Sequence, residues 1–336
     1  MRREIPTISV CIPTYNRAGY LAECVAAILR QTFADFEVVI SDNASTDGTR
    51  EFVSTLRDPR VRYVRNPANV GSRQNWNQCL ELARGRYVAI LHDDDTYEPM
   101  FLARTVQTLE AHPRMGMVYT AAYLIDEEGR RTDCLRLYAR DQAWAPAVLT
   151  RHFLAHNHDI VFSSVVARRN AYQQAGWFDR ELYCGDFEMW LKLTFLFGTA
   201  YLSTPLVSYR THQSSTTLTI HPGRFLEENR LIISRFIDWA SEREPTFATY
   251  RADALAAVDR VWASRLLYTA WALLAEGAFD RANGCLEALR HAQRNWVTTA
   301  EMAMTRWCVN PAGRRMARGL RKMRRLVRRI GVAAAN

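Results

Sequence analysis

A chain of 336 residues, 48% of them apolar, buries a substantial core and fills one large domain with an appendage, or two domains. It holds no run of about eighteen uncharged apolar residues, which excludes a membrane-spanning helix, and Met1–Pro6 enters the first strand without a signal peptide's apolar segment, so a cytosolic chain is expected. The 7 cysteines (Cys11, Cys24, Cys79, Cys134, Cys184, Cys285, Cys308) form no CxxC pair, which argues against a zinc or disulfide framework, and the net charge of +9 sits at one end of the chain instead of coating it for nucleic acid.

From the N-terminus, strand and helix alternate. Ile5–Pro13 reads as a strand through Ile8, Val10 and Ile12, then comes the polar turn Thr14–Gly19, and Tyr20–Gln31 carries apolar residues at helical spacing. A second strand, Phe36–Ile40, ends in the turn Ser41–Gly48, where Thr46 is placed to cap the following helix. A third strand, Val61–Val64, leads through Arg65–Gly71 to a helix over about 72–83, closed by Gly85. This alternation predicts a doubly wound, Rossmann-like sheet. No GxGxxG follows any of these strands, so phosphate must be held by other means.

The next strand, Tyr87–Leu91, runs through His92 into three consecutive carboxylates, Asp93, Asp94 and Asp95. Adjacent acids repel, and a divalent cation among them removes the conflict, because hard cations take oxygen ligands and bring phosphate oxygens with them. The competing reading is an acidic turn that caps the next helix, Glu98–Ala111, with Asp95 or Thr96 as N-cap and Glu98 and Pro99 in the first turn.

Several ordered motifs now stand in one chain: Val10–Asn16 (VCIPTYN), Val39–Thr49 (VISDNASTDGT), Asn69–Gly71 (NVG), Ala83–Val88 (ARGRYV) and Asp93–Asp95, with weaker echoes at Asp186–Leu191 and Tyr209–His212. Together they resemble the family 2 glycosyltransferases, inverting nucleotide-sugar-dependent enzymes of the GT-A fold, over roughly residues 5 to 216. The resemblance implies that Pro13, Thr14 and Asp42 hold the nucleoside, Asp42 accepting the imide N–H of a uracil or thymine. Taken alone, an Asx-turn residue with no ligand is the commoner reading of Asp42. His92 stands where the family commonly has a carboxylate, which places Asp94 and Asp95 nearest the metal, Mg²⁺ or Mn²⁺, and Asp93 on the sugar or ribose side. Trp76-Asn77 replaces the Arg-Asn pair of many members. Arg73, one turn earlier, is then a donor-binding candidate, or a solvated arginine on a helix face.

Beyond the acids, Gly116–Ile125 is expected as a strand, Cys134–Trp144 as a loop without a clean period, and Gly176 as a helix stop. His152, His156, His158 and Asp159 invite a metal reading, but no third or fourth ligand of settled geometry supports zinc. Asp186 heads the helix that buries Met189, Trp190 and Leu193, where it is a capping residue. By resemblance it is also the general base that takes the acceptor hydroxyl proton, with Glu188 as its near competitor. Leu206–Arg210 is expected as a strand, and His212 after it, by resemblance, helps bind the metal or the leaving diphosphate.

From Pro222 the composition turns to Ala-, Leu- and Arg-rich runs of helical period, Phe225–Trp239, Ala248–Ala275, Phe279–His291 and Thr298–Val309. The segment 311–336 holds eight arginines and one lysine with no acid, so it carries the whole net charge. Met316, Leu320, Met323, Val327 and Ile330 fall on one face of it, as in an interfacial helix on anionic lipid. No aromatic is interleaved there, which disfavours nucleic acid as the partner.

The expected architecture is therefore a GT-A α/β catalytic domain over residues 1–216, with a nucleotide-sugar half to about 112 and an acceptor half over 113–216. A helical domain over 217–310 and the basic helix over 311–336 complete it. The expected activity is metal-dependent transfer from a UDP- or dTDP-sugar to a glycan, lipid-linked acceptor, at the inner face of the plasma membrane, in surface polysaccharide synthesis. The reading from a different class is a non-catalytic, membrane-associated assembly protein that keeps the fold.

Overall fold

The computed structural model describes residues 5–156, 160–212 and 222–292. The described residues form two compact units, one holding residues up to 153 and from 160 to 212, the other 154–156 and 222–292.

The first unit is a ten-stranded sheet. Its parallel part takes the order β3 (Val61–Arg65), β2 (Phe36–Asp42), β1 (Ile8–Thr14), β4 (Tyr87–Ile90). All seven residues of β1 and all four of β4 are buried, as strands covered on both faces must be. Helices α1 (Ala18–Leu29), α2 (Thr49–Thr55) and α3 (Ser72–Leu82) make the crossovers. Because β1 lies between β2 and β4, the strand order reverses beside it, and the crevice at the carboxyl ends of β1 and β4 is where such sheets bind ligands. Thr14 and the residues after Ile90 open into that crevice.

Past β4 the sheet continues β9 (Val165–Arg168), β6 (Met115–Ile125), β10 (Gly198–Arg210), β5 (Thr96–Tyr97), with β7 (Arg131–Leu135) on β6 and β8 (Gln142–Trp144) on β10. Strand β9 is antiparallel to both neighbours, so the sheet is mixed but mainly parallel where the crevice lies. Helices α4 (Phe101–Ala111), α5 (Val148–His156), α6 (Arg169–Ala175) and α7 (Gly185–Leu196) complete the connections.

Four expectations are corrected, each for a physical reason. Helix α4 starts at Phe101, not Glu98, because Thr96 and Tyr97 pair with Ser208 and Val207 and the Glu98 N–H donates to the Leu206 carbonyl. Thr46 does not cap α2; Asp47 accepts the Thr49 N–H at 3.1 Å through Oδ1 and the Ala18 N–H at 3.0 Å through Oδ2, serving the heads of two helices. The expected loop 134–144 contains β7 and β8, and β7 is exposed at every position, so it had no buried face to impose a period of two. Strand β10 begins at Gly198 instead of Leu206, and its register shifts on either side of Pro205, which has no N–H to give a regular ladder.

The second unit contains α8 (Pro222–Ser241), α9 (Arg251–Glu276) and α10 (Phe279–Ala292). Gly277 ends α9 in the left-handed conformation at φ 81°, which turns the chain into the α9–α10 hairpin. Ile233, Phe236, Val258, Leu266 and Leu286 are buried, and Phe225 stacks on Trp262 with ring centroids 5.3 Å apart. His158, Asp159 and the segments 298–309 and 311–336 lie outside the described residues.

Candidate active site

The site is assembled from the ends of the central strands. After β1 the turn carries Asn16 at φ 53°, a conformation asparagine tolerates, and its Oδ1 accepts the Thr46 N–H at 2.7 Å, joining the β1 and β2 turns. Asp42 ends β2, fully buried. Its Oδ1 accepts the Ser45 N–H at 2.8 Å, and its Oδ2 accepts Tyr63 Oη at 2.5 Å and Arg65 Nη1 at 3.1 Å. Burial and the bond to Asp42 hold the Tyr63 phenol protonated well above its ordinary range.

Beyond β4, Asp93, Asp94 and Asp95 are 4%, 9% and 0% exposed. Each has different partners. Thr14 Oγ1 donates to Asp93 Oδ2 at 2.7 Å, across the point where the strand order reverses. Arg17 Nη1 donates to Asp93 Oδ1 at 3.2 Å and to Asp94 Oδ2 at 2.5 Å. His212 Nε2 lies 2.9 Å from the same Asp94 Oδ2. Asp95 faces inward: Ser163 Oγ donates to its Oδ2 at 2.5 Å and the Arg210 backbone N–H to its Oδ1 at 2.9 Å. Burial and the Asp94 charge push Asp93 up to about 7 and raise Asp95, whereas at Asp94 burial is outweighed by His92, Arg17 and His212, which lower it.

His92 takes up the carboxylate's place in the family pattern as an aromatic instead. Its ring stacks on Phe162 at 4.4 Å and 12°, and on Trp76 at 5.6 Å and 28°. Burial lowers its pKa to about 4, so the imidazole is neutral, and its Nε2 has no hydrogen-bond partner among the described residues. The residues that depart from the family pattern, Trp76 and His92, thus touch each other.

Among the described residues His92, Asp94 and Asp95 place ligand atoms within 4.8 Å of one another. His212 Nε2 is within hydrogen-bond distance of Asp94 Oδ2, at 2.9 Å, and so stands beside this group. Carboxylate oxygens with one or two imidazole nitrogens are a donor set consistent with a divalent cation.

Arg73 is tied to the stretch ahead of α7: its Nε donates to the Leu182 carbonyl at 3.0 Å and its Nη2 to the Tyr183 carbonyl at 2.5 Å. Asn77 clamps the same stretch through two 2.9 Å bonds with the Phe178 backbone. Asp186 lies in the first turn of α7, after an N-cap at Cys184, and is partly exposed. Glu188, two residues on, is buried and paired with Lys192 at 3.0 Å.

The glycosyl transferase family 2 model matches residues 9–176, half of the chain and the half that builds this crevice. The chain belongs to glycosyl transferase family 2. Over 241 residues, 68% of this chain and 73% of the other, it is 29% identical to an uncharacterized protein, MT1568, of Mycobacterium tuberculosis. It is 34% identical over 129 residues to the chondroitin synthase of Escherichia coli, a match that spans 38% of this chain and only 19% of that longer protein. Among solved structures, Staphylococcus aureus TarS 1-349 in complex with UDP-GlcNAc superposes with a TM-score of 0.63 at 18% identity, covering 94% of this chain and 92% of that one. The mannosyltransferase PcManGT from Pyrobaculum calidifontis in complex with GDP-Man and Mn²⁺ gives 0.53 at 19%, covering 94% and 84%. At these identities the structural likeness speaks for the fold alone.

In this glycosyltransferase four residues near the acids escaped the sequence reading. Arg210 anchors the acid loop: its Nε donates to the Asp94 carbonyl at 2.9 Å, its Nη1 to the Glu127 carbonyl at 2.7 Å and its Nη2 to Glu23 at 2.5 Å. Ser163 holds Asp95, Arg17 pairs with two acids, and His92 stands among the candidate ligands. Only Arg17 left a signal, as the one cation in the turn after β1.

Proposed function

We propose that this glycosyltransferase moves a sugar from a UDP- or dTDP-sugar to a hydroxyl of a glycan acceptor, lipid-linked and part of a surface polysaccharide, with inversion at the anomeric carbon. The observation that carries the reading is the meeting of Thr14, Asp93, Asp94 and His212 at the carboxyl ends of β1 and β4, beside Asp42 at the end of β2. Pro13, Thr14 and Asp42 hold the nucleoside. Asp93 faces the ribose or sugar, and Arg73 the donor from its anchored position on α3. A divalent cation at Asp94, Asp95 and His212 would offset the charge that develops on the departing diphosphate. Of these residues Asp94 and His212 are the better placed, since both Asp95 oxygens are already engaged by Ser163 and Arg210.

Asp186 takes the proton of the acceptor hydroxyl while its oxygen bonds to the anomeric carbon and the carbon–oxygen bond to the diphosphate breaks, its electron pair leaving on the diphosphate. The nucleoside diphosphate leaves as a stabilised anion, so one base suffices and no protein acid is needed. Glu188, buried and paired with Lys192, is the competing carboxylate.

Chondroitin synthase and a colanic acid biosynthesis glycosyl transferase, WcaA of Escherichia coli, stand among the relatives, which supports a polysaccharide product. Hydrolysis of UDP- and dTDP-sugars by the purified protein with Mg²⁺ or Mn²⁺ tests the reading. Nucleoside diphosphate release that Asp94→Ala removes supports it. No release from any donor would favour the non-catalytic assembly protein.

No described helix is long and apolar enough to cross a membrane. We assign contact with the inner face of the plasma membrane to residues 311–336 from their charge and apolar stripe. Each arginine near an anionic surface contributes on the order of 1 kcal/mol, decaying within a Debye length. Truncation after Val309 is expected to leave donor hydrolysis intact and to abolish flotation with anionic liposomes at low salt. Equal flotation of the full-length and truncated proteins would place the contact elsewhere.

A further inference from the structure

We propose that Arg17 is a built-in cation for the acid cluster, one that the divalent ion must displace in order to bind. The inference rests on the metal reading of the site. Arg17 immediately precedes α1, and its Nη1 reaches Asp94 Oδ2 at 2.5 Å and Asp93 Oδ1 at 3.2 Å. That Asp94 oxygen is also the one 2.9 Å from His212 Nε2. The atom that Asp94 and His212 would jointly turn to an ion is thus already bonded to a guanidinium. A divalent ion and a guanidinium cannot share it, because two positive centres within bonding distance of one oxygen repel strongly in a site where water does not screen them.

The packing explains why the arginine is there. Asp94, 9% exposed beside two other buried acids, needs a counter-charge, since buried unpaired charge is strongly destabilising. Arg17 supplies it in the protein without ligand. The rest of the cluster is fixed: Asp95 is bonded to Ser163 and Arg210, and the Arg210 Nε bond holds the Asp94 backbone. Arg17 differs, for its side chain is 25% exposed against 11% for Asp94 and 6% for Asp93, and it leaves from a turn and not from a strand. It is the member of the pair with a way out to solvent. A donor diphosphate entering this crevice offers the displaced guanidinium a new anionic partner, so the ion and the nucleotide are expected to enter together. Arg17 is a positioning residue in this account, and it keeps the acid cluster closed to metal until the donor arrives.

The test is Mn²⁺ binding to the full-length protein without nucleotide, read from the electron paramagnetic resonance signal of the free ion. R17Q removes the charge and is expected to bind Mn²⁺ at least about tenfold more tightly than wild type, while R17K keeps the charge and stays close to wild type. R17A repeats the comparison if R17Q does not fold, with circular dichroism and the melting temperature as checks. Unchanged or weaker Mn²⁺ affinity in the folded uncharged variant overturns the proposal, as does equal tightening in R17K, which would assign the effect to bulk. Wild-type protein that takes up no Mn²⁺ even with UDP present would instead refute the metal reading itself. Uptake with UDP but no tightening in R17Q would refute only the role given to Arg17.

Discussion

Asp186→Asn is expected to cut turnover by roughly 10²- to 10⁴-fold while leaving donor affinity nearly unchanged. Asparagine keeps the shape of the side chain and its ability to bond in the first turn of α7, but it cannot take a proton. The N-cap of α7 is Cys184, so the helix does not depend on Asp186 to begin, and the variant is expected to fold. The loss is expected in kcat, because in the proposed mechanism the base acts on the acceptor hydroxyl and the donor is held at the strand ends of the other half of the sheet. Steady-state kinetics with a soluble glycan acceptor checks this. A larger effect from Glu188→Gln would mean that the buried carboxylate paired with Lys192 is the base after all.

Asp94→Ala is expected to remove nearly all transfer, a loss of about 10²-fold or more, and EDTA to abolish it with recovery on addition of Mg²⁺ or Mn²⁺. The variant keeps the acid loop, since the Arg210 Nε bond goes to the Asp94 backbone carbonyl at 2.9 Å and Asp95 keeps Ser163 and the Arg210 N–H. What it loses is the one side chain that both Arg17 and His212 address. Transfer at full rate after chelation, or in a folded Asp94→Ala protein, would contradict the assignment.

The central sheet and the acid cluster were legible because both are written locally. Strands β1, β2 and β4 are short runs dominated by apolar residues, and Asp93, Asp94 and Asp95 adjoin in the chain. What supports the cluster is not local. Arg210 and Ser163 reach Asp95 from 115 and 68 residues away, and no short-range pattern marks an arginine whose backbone N–H, rather than its charge, meets a carboxylate. The cap of α2 was misread within one turn: the N-cap is Gly48, and the side-chain bond to the helix start comes from Asp47 before it, which also bonds Ala18 on another element. The stack of His92 on Trp76 was foreshadowed only as separate departures from the family pattern at two positions. Their contact is a property of the fold, and it replaces a place for opposite charges with an aromatic pair.

Calorimetric titration of UDP and dTDP into the wild-type protein tests whether the acids form a diphosphate site that needs a cation. One of these nucleotides is expected to bind at least about tenfold more tightly with Mn²⁺ than with EDTA, because the cation and the diphosphate would be each other's ligands. Equal affinity with and without the ion, for whichever nucleotide binds, would contradict it.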